Sequence, residues 1–307
     1  MGIKNIGKLI NKYLIKIPIR QLSGKVIVVD SMAYFFRIIA VSNRKVNEVT
    51  ALLRTEPDRR MIISNAKLLL KVFINNLRIY NIEPIFILEG DRPVEKSETH
   101  MKRELVRKRV LEDISELLMN ISTPPLPPTP TPSIQYEYDD EDIVNEVKLK
   151  KLYNQNVYVT KDEVLIFRDE LIKLGVKVIK AKGEGEQLCA MMVRDGLSYA
   201  AYSVDTDLLA YGCPLMINKI EEGYAYGYDL NNILKQLDLT YEQFVDMCIL
   251  MGCDYNEKIK KIGPKRAYKL IKDNGRLENL NIDTSCLKYE RCRELFSYKP
   301  SKTLYDI

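Results

Sequence analysis

Apolar and polar positions along this chain fall into two alternating patterns. Lys25-Val26-Ile27-Val28-Val29 is a short β-branched run, apolar at consecutive positions, and it ends at Asp30. That pattern suits a strand buried on both faces. From about Met61 to Tyr80, Ile63, Leu69, Leu70, Phe73 and Leu77 recur at helical spacing. Pro84-Ile85-Phe86-Ile87-Leu88 is a second buried run, closed by Glu89-Gly90. Two buried strands joined through a helix form a βαβ unit, so the sheet is expected to be parallel. The rhythm then repeats. Glu163 to Leu174 reads as a helix stopped by Gly175, Val176-Lys177-Val178-Ile179 as a strand, and Gly185 to Asp195 as a helix. Tyr199 to Val204 is a fourth strand ending at Asp205, Leu215-Met216-Ile217 a fifth, and Tyr241 to Met251 a helix followed by Gly252-Cys253-Asp254. The fold class is α/β.

The middle of the chain breaks the rhythm. Met101 to Met119 is a strongly charged helix candidate. Pro124, Pro125, Pro127, Pro128, Pro130 and Pro132 then crowd the stretch from Ile121 to Ser133. No helix or central strand tolerates that density, and an extended polyproline-like tether is expected. An acidic run follows at Glu137, Asp139, Asp140, Glu141 and Asp142. The predicted organisation is a first half of one α/β domain over residues 1–96 and an insertion over 97–160. The second half covers 161–275, and a short C-terminal segment 276–307.

Composition narrows the chemistry. A hydrophobic content of 46% with 29% charged residues is ordinary for a globular chain, and the net charge of +5 is only mildly basic. Lys4, Lys8, Lys12 and Lys16 interrupt every early apolar run, and no stretch approaches the ~20 apolar residues of a membrane span. The six cysteines form no C-x-x-C pair and His100 is the only histidine. A zinc cluster and most histidine-based catalysis are thereby excluded, and the cysteines are expected as free thiols. Hydrolytic chemistry here has to run on carboxylates, metals or lysines.

The carboxylates are arranged for it. In a parallel α/β sheet, ligands bind beyond the carboxyl ends of the strands. Asp30, Glu89 and Asp205 each end a predicted strand, and Asp207 follows two residues on. Glu184 and Glu186 open a helix just after the third strand, and Asp254 follows an apolar helix and a glycine. Each acid alone reads as a cap, a turn residue or a complement to a helix dipole. Together they would place five to seven negative charges in one cleft, and such charges cannot all stay ionised unaided. Hard oxygen donors select Mg²⁺ or Mn²⁺, and a pair of such ions ~3.5–4 Å apart suits phosphodiester hydrolysis.

These residues resemble the flap endonuclease family, within the wider XPG/flap endonuclease group of structure-specific 5′ nucleases. Met1-Gly2-Ile3-Lys4 is similar to the family's opening, and Val29-Asp30-Ser31-Met32 to its first metal-ligand strand. Pro84 to Gly90 with Pro93 and Lys96-Ser97 resembles the second. Gly183-Glu184-Gly185-Glu186 is similar to its E-x-E site, and Val204-Asp205-Thr206-Asp207-Leu208-Leu209 to its D-x-D site. Met251 to Tyr255 and Ile262-Gly263-Pro264-Lys265-Arg266-Ala267 resemble its final acid and its helix–two-turn–helix. The likeness runs in order from Met1 to about Ile271, interrupted by the insertion. Seven ordered motifs are far more specific than any one of them.

The resemblance implies a PIN-like nuclease core, a helical arch and roles for individual residues. Asp30, Glu89, Glu184 and Glu186 would serve one Mg²⁺, and Asp205, Asp207 and Asp254 a second. Lys96 and Arg103, two turns apart, would steady the scissile phosphate. Lys102, Arg107, Lys108 and Arg109 add charge to the same region, which favours an anionic partner. Gly2, the Gly263 turn, Lys265 and Arg266 would face DNA, and one aromatic after Asp30, Phe35 or Phe36, would stack on a base. The implied partner is branched or flapped duplex DNA, cut by a monomeric intracellular enzyme of replication, repair or recombination. In a nucleus or a viral replication compartment it would meet that substrate. A sibling 5′-3′ exonuclease or bubble nuclease is the alternative, and an inactive DNA-binding scaffold a weaker one. The chain departs from the family in three places. Glu89 stands where aspartate is usual, the Pro-rich and acidic stretch replaces a compact cap, and no sliding-clamp peptide follows Lys272.

Overall fold

The computed structural model describes residues 2–53, 55–120 and 140–297. The Pro-rich stretch and the acids Glu137 and Asp139 lie outside these residues. In chain order the elements are α1 (Gly7–Ile10), β1 (Ile15–Pro18), β2 (Val26–Asp30), α2 (Ser31–Leu52), α3 (Arg59–Ile79), β3 (Glu83–Leu88) and α4 (Lys96–Asn120). Next come α5 (Asp140–Gln155), α6 (Lys161–Lys173), β4 (Lys177–Lys180), α7 (Gly185–Arg194), β5 (Ala200–Tyr202) and α8 (Asp207–Ala210). The chain closes with β6 (Leu215–Glu221), β7 (Tyr224–Asp229), α9 (Leu230–Leu237), α10 (Tyr241–Met251), α11 (Pro264–Asn274) and α12 (Tyr289–Ser297).

The seven strands form one sheet in the order β1-β7-β6-β5-β2-β3-β4. From β6 to β4 every neighbour is parallel, as the βαβ pattern requires. The β7 strand runs antiparallel to β6, and β1 antiparallel to β7. These two strands escape the periodicity argument. Glycine and tyrosine dilute β7, and β1 is a four-residue edge strand with Lys16 facing out. From β2 the chain builds outward through β3 to β4, then returns to lay β5 on the other side of β2. The order therefore reverses between β2 and β5, the place where an open α/β sheet leaves a crevice beyond its carboxyl ends.

The chain divides into two compact units. The first takes the chain up to Tyr34, Phe73 to Thr99, and Leu171 onward, and holds the sheet. Its core runs from the sheet into α7, α10 and α11. Thr240 and Gln243 start α10 with a capping box, and Gly252 ends it at φ 93°, a conformation that suits glycine and turns the chain into Cys253-Asp254. The second unit takes Phe35–Val72 and His100–Glu170. Val110 and Ile114 of α4 pack there with Ala51, Leu149 and Tyr153. Arg59 forks onto Glu163 at 2.7 and 2.8 Å, and Arg59 and Arg107 stack on Tyr158, 4.0 and 3.5 Å from its ring centre. The helix α5 begins within the acidic run, a stretch with no apolar periodicity to announce it.

The C-terminal segment also holds more than its sequence suggests. Asp246 of α10 is fully buried, and its carboxylate accepts from Arg276 Nε at 2.8 Å and from Arg293 Nε and Nη2 at 2.6 and 2.7 Å. These bonds fasten α12 to α10. Arginines aligned on a buried aspartate cannot be recognised along the chain, because the partners lie 30 and 47 residues away. Replacing Asp246 with Ala would strand two guanidiniums beside the core. The expected loss is about 3 kcal/mol in urea-denaturation stability.

Candidate metal centre

The acids predicted from strand ends come together beyond the β2–β5 switch. Asp30 is the last residue of β2 and is 2% exposed. One of its carboxylate oxygens accepts from the Ala33 amide at the start of α2 (3.2 Å), and the other from the Ser203 hydroxyl (2.8 Å). The same hydroxyl oxygen accepts from the Asp205 amide (3.0 Å). Ser203 thus ties the two strand ends to each other, a role its place two residues before Asp205 could have signalled. The Asp205 carboxylate in turn accepts from the Asp207 amide at 3.1 Å. Gly2 packs on this turn so closely that a Cβ there would stand 2.0 Å from the Asp205 carboxylate, which leaves room for glycine only. Asp254 is buried at the end of the Gly252 turn, and its carbonyl accepts from Thr99 of α4 at 3.0 Å.

Burial drives Asp30, Glu184, Glu186, Asp205 and Asp207 toward protonation. It raises Asp30 to about 6, against the opposing bonds from Ser203 and Ala33. Glu186 and Asp207 are held well above the usual carboxylate range by burial and by the neighbouring aspartates. Asp205 and Glu184 are raised by the same burial. Lys96 supplies the countercharge. Its ammonium bonds Glu184 and stands 3.7 Å from Glu186, and it acts electrostatically on Asp30, Asp205 and Asp207. Burial lowers the ammonium's own pKa, but Glu186 and Glu184 outweigh it and hold Lys96 above the lysine range.

One cation does not satisfy this set. Glu184 Oε1, Glu186 Oε2 and both oxygens of Asp207 are buried with no hydrogen-bond partner. Orphaned anionic oxygens in a buried cluster are the donor set of hard divalent cations, and the residues fit such ions. Among the described residues, no three or more His, Cys, Asp or Glu side chains are drawn together closely enough to hold a metal ion. The acids are arrayed around Lys96 instead. Glu89 is differently engaged. It follows β3 and receives a two-pronged bond from Arg92, Nε at 3.0 Å and Nη2 at 2.9 Å. Its charge still acts on Glu184.

The remaining predicted residues lie elsewhere. Arg103 is exposed on α4, two turns beyond Lys96. Phe35 is fully buried, its ring centre 4.8 Å from that of Phe167, so it has no face to offer a base. Phe36 is half-buried. Tyr34 belongs to the core, packed on Phe73, Phe86 and Tyr202. Gly263 caps α11 with Pro264 in the first turn, nothing crowds its Cα, and Lys265 and Arg266 are exposed beside it. The first amides of α11 are the donors a helix leaves unused, and they point at this open ground.

An α/β core with acids at its switch point and a free helix N-terminus defines a class of phosphodiester-cleaving nucleases. Comparison with known proteins places the chain within that class. The XPG N-terminal domain matches residues 1–110, and the XPG I-region residues 175–254. Together these cover more than half of the chain, which belongs to the XPG/flap endonuclease superfamily of metal-dependent nucleases. Flap endonuclease 1 of Lodderomyces elongisporus is 28% identical over all of this chain and 72% of its own length. The "Probable RAD2-like endonuclease 369L" of Invertebrate iridescent virus 6 is 29% identical, over the whole chain and 82% of its length. The flap endonuclease 1-B of Oryza sativa subsp. indica is spanned over 65% of its length. Among solved structures, the Rad2 catalytic core with DNA substrate superposes with a TM-score of 0.63 at 19% identity, over 99% of this chain and 85% of that one. Flap endonuclease-1 from Methanococcus jannaschii gives 0.61 at 21%, over 94% and 83%. At these identities the superpositions show the fold, a PIN-like core.

The raised Asp30 carboxyl has a consequence for stability. Its folded value of about 6 lies above the 3.8 of an ordinary aspartate. Between the two, the folded chain binds the extra proton, so metal-free stability falls as pH rises through that window, by on the order of 3 kcal/mol. Asp30→Asn removes this dependence. In EDTA, the melting temperature of the variant relative to wild type should climb from about pH 4 to pH 6 and level off above.

Proposed function

We propose that this chain is a structure-specific 5′ nuclease that hydrolyses phosphodiester bonds at 5′ flaps and branched DNA junctions in replication, repair or recombination. The observation that carries the reading is the buried carboxylate cluster beyond the β2–β5 switch, with four oxygens left without hydrogen-bond partners around a single lysine. Two Mg²⁺ ions, with Mn²⁺ able to substitute, would be held by Asp30, Glu184 and Glu186 on one side and Asp205, Asp207 and Asp254 on the other. Glu89 contributes charge from its place beside Arg92. Bound cations would lower the pKa of an attacking water and offset charge developing on the phosphate and the leaving oxygen.

The chain's own residues supply the rest. Burial keeps bulk water from the acids, which strengthens their pull on any cation or cationic side chain. Lys96 now pairs with Glu184 and Glu186, and with those carboxylates engaged by cations its ammonium would be free to pair with a phosphate oxygen. Arg103 would take a second oxygen. The α11 amides with Lys265 and Arg266 would hold a duplex phosphate without reading sequence, and Phe36 would stack on a base. The site of action is then intracellular DNA, in a nucleus or a viral replication compartment.

A panel of 5′-labelled flap, nicked and bubble DNA in Mg²⁺ tests the reading. Wild type should cut the flap, and Asp205→Ala should lower turnover by at least about 10³-fold with little change in DNA affinity. If no substrate is cut in an Asp205-dependent way, a DNA-binding scaffold is the better account. Preference for the bubble or the nicked end would favour the sibling activities of the superfamily. Glu89→Asp should be neutral or faster, whereas Glu89→Ala should slow turnover without weakening DNA binding. Equal turnover for Glu89→Ala and wild type would remove Glu89 from the site.

A further inference from the structure

Lysine carries its charge at the end of a flexible four-carbon stem, so one contact alone does not fix its ammonium. Lys96 opens α4, and its bonds to Glu184 and Glu186 are to carboxylates that the nuclease reading gives to cations. A third contact uses neither acid. The Lys96 ammonium stands over the ring of Tyr255, 5.7 Å from its centre. A cation within ~6 Å of an aromatic face is attracted by the ring quadrupole, most strongly where water is excluded. Water is scarce at this place, since the Lys96 side chain is 13% exposed and Tyr255 4%.

The ring is held in that orientation. The Tyr255 hydroxyl is bonded to the Tyr211 hydroxyl, and Phe296 of α12 meets the ring edge-on, 5.5 Å between centres. The same Phe296 braces Tyr211 at 5.2 Å. The helix turn that carries Lys96 is fastened to the same stretch of backbone. Thr99 lies three residues on, a spacing that puts it on the same face of α4, and its hydroxyl donates to the Asp254 carbonyl at 3.0 Å. One turn of α4 thus docks on one peptide unit, with the carbonyl of Asp254 under Thr99 and the ring of Tyr255 under Lys96. Two anchors on one turn fix both the height of the helix and its rotation about its own axis.

We infer that Tyr255 and Thr99 are positioning residues for Lys96, the one through its ring face and the other through its bond to the Asp254 carbonyl. The inference rests on the nuclease reading for the reaction that Lys96 serves. With Glu184 and Glu186 engaged by cations, the ring and the pinned helix turn remain beneath the ammonium and keep it in the cleft. A quadrupole attracts a cation more weakly than a charged phosphate oxygen does, so the seat holds the ammonium without withholding it from the substrate. Neither residue acts on the phosphate itself. Both tie the place of Lys96 to that of Asp254, whose own backbone forms the seat.

Two measurements on the full chain test the seat. In single-turnover flap cleavage with Mg²⁺, Tyr255→Leu should slow the reaction by about 10-fold and Thr99→Val by about 3-fold, with flap affinity unchanged. Tyr255→Phe, which keeps the ring and loses the hydroxyl, and Thr99→Ser, which keeps the donor, should stay close to wild type. In a Lys96→Met background neither Tyr255→Leu nor Thr99→Val should cost anything further, because both act through the ammonium. Full additional losses in that background, or Tyr255→Phe as slow as Tyr255→Leu, overturn the inference in favour of a purely structural role. Thr99→Val is isosteric at a half-buried position and completes the same cycle if Tyr255→Leu does not fold. The second measurement needs no turnover. In protein carrying isotopically labelled lysine, with Ca²⁺ in place of Mg²⁺, the Lys96 ε-methylene protons, identified by Lys96→Met, should resonate upfield of a water-exposed lysine. Tyr255→Phe should keep that ring-current shift and Tyr255→Leu abolish it. Flap cleavage with Lys96 unshifted in wild type rejects the seat alone, and a shifted Lys96 without cleavage upholds the seat and rejects the nuclease reading.

Discussion

Everything in the first unit is organised around burying several carboxylates beside one another. Like charges brought out of water repel and lose hydration, so they persist only where cations or hydrogen bonds compensate them. Here Lys96 compensates Glu184 and Glu186, while Ser203 and the amides of Ala33 and Asp207 compensate Asp30 and Asp205. Those contacts reach four acids of the set and still leave four oxygens, Glu184 Oε1, Glu186 Oε2 and both of Asp207, without a hydrogen-bond partner. A chain that carries such a deficit in its best-packed unit holds a site that divalent ions complete.

The surrounding fold supports that arrangement from several directions. The switch between β2 and β5 sets Asp30 and Asp205 side by side, and the Gly252 turn brings Asp254 in from α10. Gly2 closes on the Asp205 turn because it has no side chain to be displaced. The helix α12 reaches the site indirectly. Phe296 backs the two tyrosines, Arg291 holds Glu95 next to Lys96, and Asp246 anchors the helix through two arginines. A segment that looks dispensable in sequence therefore forms one wall beside the carboxylates.

Periodicity identified the five parallel strands, because each carries a short cluster of apolar residues with a helical segment between it and the next. It missed β1 and β7, whose residues are short, polar or aromatic and are held by antiparallel pairing at the sheet edge. The helix α5 was also illegible, since its N-terminus lies in an acidic run. The acids were legible individually as strand-end residues and jointly as an ordered set of motifs. Phe35 and Phe36 were not separable by sequence, because adjacent helical positions differ by ~100° and only packing against Phe167 decides which one is buried.

What the sequence determined by itself was the alternation of buried strand and helix, and the placing of an acid at the end of each strand that matters. Both are local properties, written in hydrophobic period and chain order. The tertiary structure alone decided which charges pair. Lys96 lies 88 residues from Glu184, and Ser203 lies 173 from Asp30. Glu89 could be read as an acid at a strand end, but its bond to Arg92 depends on how the turn after β3 folds back. Electrostatic partnership acts over a few ångströms of space and is indifferent to separation along the chain. The backbone's course around the switch point therefore had to be known before the function of each charge could be assigned.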